Sequence, residues 1–323
     1  MQEIVPEIMP EMMKEIMPEM MPEMMPEIMK EIMPEIMPQI MTDSTPGNTR
    51  ENMRRLRNMN SPRSLQILSV RVSCVTMSET LSALESMVES REPHHVVTVN
   101  PEFIMASRGN SAFRHVLNSA DLAVPDGTGV VLASGILGRP IGERVPGVDL
   151  IEQFAVRGGK KRFRFFLLGA SPGLADRAAF VLQGLSSGLE IAGTFSGSPD
   201  PESEDEICRR IIDAKPDVLL VAFGSPAQDL WIARTKDRLR VPVSIGVGGS
   251  LDYIAGSVAR APAWMRGLGL EWLYRLMNQP GRWRRMLVLP GFVILVLKQS
   301  LERDGRDLAA AGNTGEAQLK QAV

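Results

Sequence analysis

The sequence predicts an α/β fold, a mainly parallel sheet flanked by helices, on three observations. From Leu65 onward, short apolar runs alternate with amphipathic stretches, the order produced when parallel strands are joined by crossover helices. Several of the apolar runs end in glycine immediately before a helical pattern. In Val124-Pro125-Asp126-Gly127-Thr128-Gly129 a carboxylate stands where an apolar strand stops and a glycine-rich turn opens a helix, and open α/β proteins carry their chemistry at that edge. The expected architecture is therefore Rossmann-like.

Residues 1–41 stand apart from that pattern. They repeat with a period of four and carry proline at positions 6, 10, 18, 22, 26, 34 and 38. Proline at such spacing removes helix donors and clashes with the preceding turn, so an extended, disordered tail is expected. The tail holds nine Glu against two Lys, so a chain of formal charge −2 leaves about +5 for residues 42–323. It also holds 13 of the 21 Met, so methionine richness describes the repeat and not the core. A partner-binding arm is one reading; a translated tandem repeat, or a start assigned too far upstream with Met41 or Met59 as later candidates, is the plainer one. Residues 42–64, rich in Asn, Arg, Ser and Pro, read as a linker.

The α/β domain is expected over 65–258. Its strands are predicted at Ile67–Val75, Val96–Asn100, Leu122–Pro125, Phe163–Leu168, Leu189–Thr194, Val218–Phe223 and Val243–Val247. The clearest helices between them are Glu79–Glu89, Ile207–Ala214 and Gln228–Leu239. A basic amphipathic appendage follows over 259–303, and 304–323 reads as a disordered tail. Cys74 and Cys208 lie far apart, with no metal spacing and no disulfide framework, which suits a reducing cytoplasm. No basic segment leads an apolar run at the N-terminus, and no apolar stretch reaches the length of a membrane span.

Strand ends supply the chemical candidates. Val96–Asn100 delivers Thr98 and Asn100 to the edge that carries Asp126, and Pro101 then opens a helix. Glu143-Arg144-Val145-Pro146-Gly147 adds a cation in the loop leading to the next helix. One acid, one guanidinium and two neutral side chains suit a general base, an anion clamp and a reader of sugar hydroxyls. Asp126 as a plain helix cap is the competing reading. The turns at Gly169, Gly224 and Gly248 each lead from strand to helix and are expected to turn backbone N–H groups toward an anion such as phosphate. After Gly169 the dinucleotide spacing is absent, which argues against a nicotinamide dehydrogenase. Gln228, in a first helical turn, can donate to and accept from a sugar or uracil.

Metal ligands are not evident in the sequence. His94 and His95 are adjacent on a strand and point to opposite faces, and no Asp-x-Asp pair ends a strand to bridge a cation to a diphosphate. The acids between Asp200 and Glu206 read as a solvated Ser/Pro-rich loop. No cofactor is expected.

From Arg260 to Arg303 eight basic residues face two acids, interleaved with Trp264, Trp272, Tyr274 and Trp283. That mixture suits a membrane interface, and Met286–Leu297 then suits a helix lying in the surface. Nucleic-acid binding ranks below lipid, because long aliphatic residues separate the cations; simple packing on the core is the third reading.

These motifs together resemble the WecG/TagA/CpsF family of bacterial glycosyltransferases, glycosyltransferase family 26, over about residues 65–300. The resemblance rests on Thr98-Val99-Asn100-Pro101-Glu102, Pro125-Asp126-Gly127-Thr128-Gly129, Glu143-Arg144-Val145-Pro146-Gly147, Gly224-Ser225-Pro226 with Gln228, and Arg260-Ala261-Pro262 followed by Gly269-Leu270-Glu271-Trp272-Leu273-Tyr274-Arg275-Leu276. It implies an inverting, metal-independent transfer of an N-acetylmannosamine-type or related hexose. The donor would be a UDP-sugar, and the acceptor a polyprenyl-diphosphate-linked sugar at the cytoplasmic membrane face. Asp126 is then the base, Thr98 and Asn100 pocket residues, Gln228 a substrate contact, Arg144 a diphosphate contact, and Arg275, Arg282 and Arg285 part of an appendage that closes the site and touches the membrane. Ala227 and Asp229 depart from the Lys and Glu usual in that family. A non-catalytic UDP-sugar-binding module with a membrane-docking basic tail is the alternative; sugar identity, acceptor and any homo-oligomer stay open.

Overall fold

The structure is a computed structural model that describes residues 63–278 and 287–302. The repeat, most of the linker and the final tail, for which the sequence suggests disorder, lie outside those residues. The chain begins with β1 (Ser64–Ile67) and β2 (Val70–Ser73), which pair as an antiparallel hairpin. One continuous strand is expected there. The chain instead reverses at Leu68 and Ser69, both in the left-handed region at φ 47° and 71°. Neither is a Gly or Asn, so the turn carries no local signature.

Six further strands, β3 (His94–Val99), β4 (Leu122–Pro125), β5 (Arg164–Gly169), β6 (Glu190–Phe195), β7 (Val218–Ala222) and β8 (Val243–Gly246), form one sheet in the order β4-β3-β8-β7-β5-β6. Every pairing in it is parallel, so all six strands end at one edge, as the alternating pattern predicts.

Helices cover both faces, and alternate strand residues divide between them. Val96, Val218, Leu220, Val243 and Ile245 join a core with α1 (Met77–Ser90), α5 (Gly147–Lys160) and α6 (Leu174–Leu185). On the other face Val97 and Val99 pack with α2 (Pro101–Gly109), α3 (Ser111–Ser119) and α4 (Thr128–Ile136). Leu219 and Val221 pack there with α7 (Pro201–Ala214) and α8 (Ala227–Leu239). Local chemistry sets the helix starts. Thr76 and Glu79 form a capping box on α1, and Asn100 accepts the Phe103 N–H at 3.0 Å with Pro101 at the first position of α2. The acids expected in a solvated loop belong to α7: Pro201 starts it, and Glu202 and Glu204 fall in its first turn, where negative charge meets the exposed N–H groups.

The chain closes with α9 (Ser250–Ile254), α10 (Ala263–Gly267), α11 (Glu271–Asn278) and a helix over 288–302, α12. Met265, Phe292 and Val296 are buried. Gln299 accepts from Leu68 N–H and donates to the Gln66 carbonyl. One side of this region is therefore seated on the hairpin and the core, as the packing reading holds. Leu287, Ile294 and Leu301, seven residues apart, stay exposed, as does Trp264. No helix among the described residues is long and apolar enough to cross a membrane.

Candidate active site

The sheet has a switch point between β5 and β7. From β5 the chain crosses through α6 on one face to β6, and from β7 through α8 on the other face to β8. A crevice opens at such a point beyond the strands' carboxyl ends. A cavity of about 370 Å³ lies there, lined by Ala170, Ser171, Ser196, Ser198, Phe223 and Asp252 among others. The sequence points to the turns that carry Ala170, Ser171 and Phe223, but not to Ser196, Ser198 or Asp252, which sits on the five-residue α9, too short to leave a periodic signal.

Asp126 lies at the end of β4, along the same edge. Its N–H donates to the Val99 carbonyl at 2.8 Å, fixing it beside β3. A Cβ built on Gly147, the first residue of α5, would stand 3.8 Å from Asp126 Oδ2, 3.8 Å from Thr98 Cγ2 and 3.3 Å from Ser250 Oγ. Asp126, Thr98 and Ser250 thus converge on the start of α5, and only a residue without a side chain leaves that space open. Helix α9 borders both regions, since its Ser250 Oγ faces the same space at the start of α5 as Asp126 and its Asp252 lines the cavity.

The neighbouring residues hold this arrangement. Thr98 is buried and its hydroxyl donates to the Gly246 carbonyl at 3.3 Å. The Asn100 side-chain oxygen is engaged as the cap of α2. Val145 N–H donates to the Pro125 carbonyl at 2.9 Å, which ties the Arg144 loop to the residue before Asp126. Glu143 accepts from Met77 N–H at 2.9 Å and so caps α1.

Gln228 is 1% exposed, and its Oε1 accepts the Gly248 N–H at 2.9 Å. The Gly248 donor expected to face an anion is therefore already satisfied. Gly169, at φ 95°, is required by close approach: a Cβ there would meet the Ala222 backbone at 2.8 Å. Asp229 is wholly buried with His95 Nε2 at 3.6 Å from its Oδ1, so this departure from the family pattern lies beneath the sheet edge and not in the cavity.

The C-terminal region meets the same edge. Gly269, at φ 72°, lies against Thr128, whose hydroxyl donates to its carbonyl at 3.4 Å. Arg144 Nη1 is 3.4 Å from Glu271 Oε2, and its Nη2 donates to the Arg266 carbonyl at 3.5 Å. Arg260 bridges Asp149 at 2.6 Å and Glu271 at 3.7 Å. Burial works against the Arg260 charge, but Asp149 above all, then Glu271 and Glu152, raise its pKa overall. Burial pushes the Glu152 carboxyl up, against Arg260 and Arg266 and with Asp149. Arg275 lies on α11, while Arg282 and Arg285 lie outside the described residues.

The sequence matches the Glycosyl transferase WecG/TagA/CpsF family over residues 65–306. Three similar proteins are each named N-acetylglucosaminyldiphosphoundecaprenol N-acetyl-beta-D-mannosaminyltransferase. The Bacillus spizizenii protein is 36% identical over 203 residues, covering 63% of this chain and 78% of its own. That of Bacillus subtilis is 34% identical over 226 residues, or 68% and 88%. That of Staphylococcus aureus strain MW2 is 32% identical over 236 residues, or 72% and 92%. The chain belongs to the WecG/TagA/CpsF family of glycosyltransferases.

Proposed function

We propose that this glycosyltransferase moves an N-acetylmannosamine-type sugar, with inversion and without a metal ion, from a UDP-sugar to a polyprenyl-diphosphate-linked N-acetylglucosamine. The acceptor and the sugar follow the names of the relatives; the donor and the metal independence are what the resemblance to the family implies. The observation that carries the reading is the Asp126 carboxylate sharing the start of α5 with Thr98 and Ser250, on an edge that continues to the switch-point cavity.

In this reading the donor occupies the cavity and the acceptor hydroxyl approaches Asp126. The carboxylate takes the hydroxyl proton as the oxygen bonds to the anomeric carbon. The carbon–phosphate oxygen bond breaks on the opposite side, and UDP leaves with the electron pair. A positioned base contributes about 10² to 10⁴ in rate. Arg144 answers diphosphate charge, a task for a fixed guanidinium beside the reacting groups. Thr98 and Asn100 shape the sugar pocket, while Gln228 acts through Gly248 by holding the β8 turn. Gly169 holds its turn close against the Ala222 backbone, and Gly248, at φ 49°, shapes the turn after β8.

Asp126→Asn is expected to abolish transfer of labelled sugar to a lipid-diphosphate acceptor while UDP still binds. Unchanged turnover rejects the base. Activity should survive EDTA; a loss restored by Mg²⁺ rejects the metal-free reaction.

The reading includes a peripheral site of action on the inner face of the plasma membrane. Its support is the exposed Leu287, Ile294 and Leu301, seven residues apart at and along α12, together with the exposed Trp264. Replacing the three aliphatic residues with Glu should release the chain from anionic phospholipid vesicles, and undiminished cosedimentation would end the lipid-surface assignment.

A further inference from the structure

Arg144 and Glu271 lie 127 residues apart, yet their side chains meet at the border between the Asp126 edge and the C-terminal helices. The Glu271 carboxylate is divided: Oε2 faces Arg144 Nη1 at 3.4 Å, and Oε1 faces Arg260 Nε at 3.7 Å. Arg260 in turn grips Asp149 on α5 at 2.6 Å, so one chain of charges runs from the helix that begins beside Asp126 to the first residue of α11. Both members of the Arg144–Glu271 pair are about four-fifths covered, with side-chain exposures of 22% and 21%.

Two features separate positioning from saturation. Both contacts to Arg144 are long, 3.4 Å to Glu271 and 3.5 Å to the Arg266 carbonyl. They engage Nη1 and Nη2 of a group with five N–H donors. Long contacts on one side orient the guanidinium and leave capacity for an anion on another. The neighbouring guanidinium groups also hold N–H donors that are not satisfied. Arg260 Nε and Nη2 and Arg266 Nε are buried without a hydrogen-bond partner among the described residues.

We infer that Glu271 is a positioning residue: it aims the Arg144 guanidinium at the diphosphate and, through Arg260, makes that aim depend on α11 being seated. The inference rests on the diphosphate role proposed for Arg144. It also gives the first residue of α11 a task beyond contact with a membrane.

The test is a double-mutant cycle on the full chain, using a UDP-sugar and a short-chain prenyl-diphosphate-linked N-acetylglucosamine. Glu271→Gln should raise the acceptor KM by about two- to tenfold, the lower part of the range of coupling between touching side chains, with kcat changed much less. Glu271→Asp, which keeps the carboxylate, should recover part of the loss. In an Arg144→Ala background Glu271→Gln should do nothing further. Equal losses in both backgrounds would mean Glu271 acts only as scaffold and would overturn the inference. A lower KM in Glu271→Gln would make the carboxylate a competitor of the diphosphate and overturn it equally. If Arg144→Ala alone leaves acceptor KM unchanged, the diphosphate reading of Arg144 falls first and this inference with it.

Discussion

The side-chain oxygen of Gln228 accepts the backbone N–H of Gly248 at 2.9 Å, joining the first turn of α8 to the turn after β8. The glutamine is buried, so its amide acts on the site through the backbone it holds. Gln228→Ala leaves that N–H without its partner, at a cost of about 1 to 3 kcal/mol. We expect a lower thermal midpoint together with weaker turnover, measured on the same preparation. A variant as stable as the parent would show that the bond is dispensable.

Gly147→Ala tests the space at the start of α5. The added methyl would stand 3.3 Å from Ser250 Oγ and 3.8 Å from Asp126 Oδ2. The fold should persist, because alanine favours helix, while a methyl filling the space beside the proposed base and crowding Ser250 should hinder the acceptor's approach and lower kcat by about ten- to a hundredfold. UDP affinity, measured calorimetrically, should change little.

Gly269→Ala tests how the C-terminal region rests on the start of α4. The position combines φ 72° with direct contact to Thr128, so a side chain meets both backbone strain and a neighbour. A loss of more than about 1 kcal/mol is expected. Urea unfolding followed by tryptophan fluorescence would measure it.

Glu152→Gln gives a prediction with a pH sign. Burial raises the Glu152 pKa in the folded chain, so the folded state holds that proton more tightly than the unfolded state. Below the ordinary carboxylate range both states are protonated and wild type and variant should match. As pH rises through that range toward the raised folded value, wild type loses stability and the neutral variant does not. The variant should therefore be the more stable at neutral pH and should lose that advantage in acid. An advantage that instead grows in acid would contradict the sign.

Asp126 could be found in the sequence because its position is local: a four-residue apolar strand ends one residue before it, and a glycine turn follows. The six parallel strands were legible for the same reason, each being a short apolar run beside an amphipathic helix. The β1–β2 hairpin was not, since Leu68 and Ser69 adopt a left-handed turn without the residue types that usually announce one. Nor was the start of α7 legible, because its opening acids also suit a solvated loop. The Gln228–Gly248 bond and the convergence of Ser250 with Asp126 depend on residues brought together by the sheet order, which no local pattern records. Thr98 and Asn100 were found by position, while their engaged hydroxyl and amide belong to tertiary structure.

Helix α9 is only five residues long, yet it borders both the switch-point cavity and the acid at the end of β4. If the donor sits in that hollow and Asp126 is the base, as proposed, remodelling the hollow for a different sugar would also shift Ser250 beside the start of α5. Donor preference and rate would then be geared together, and variants selected for a new sugar should need a second change near Ser250 before their speed returns.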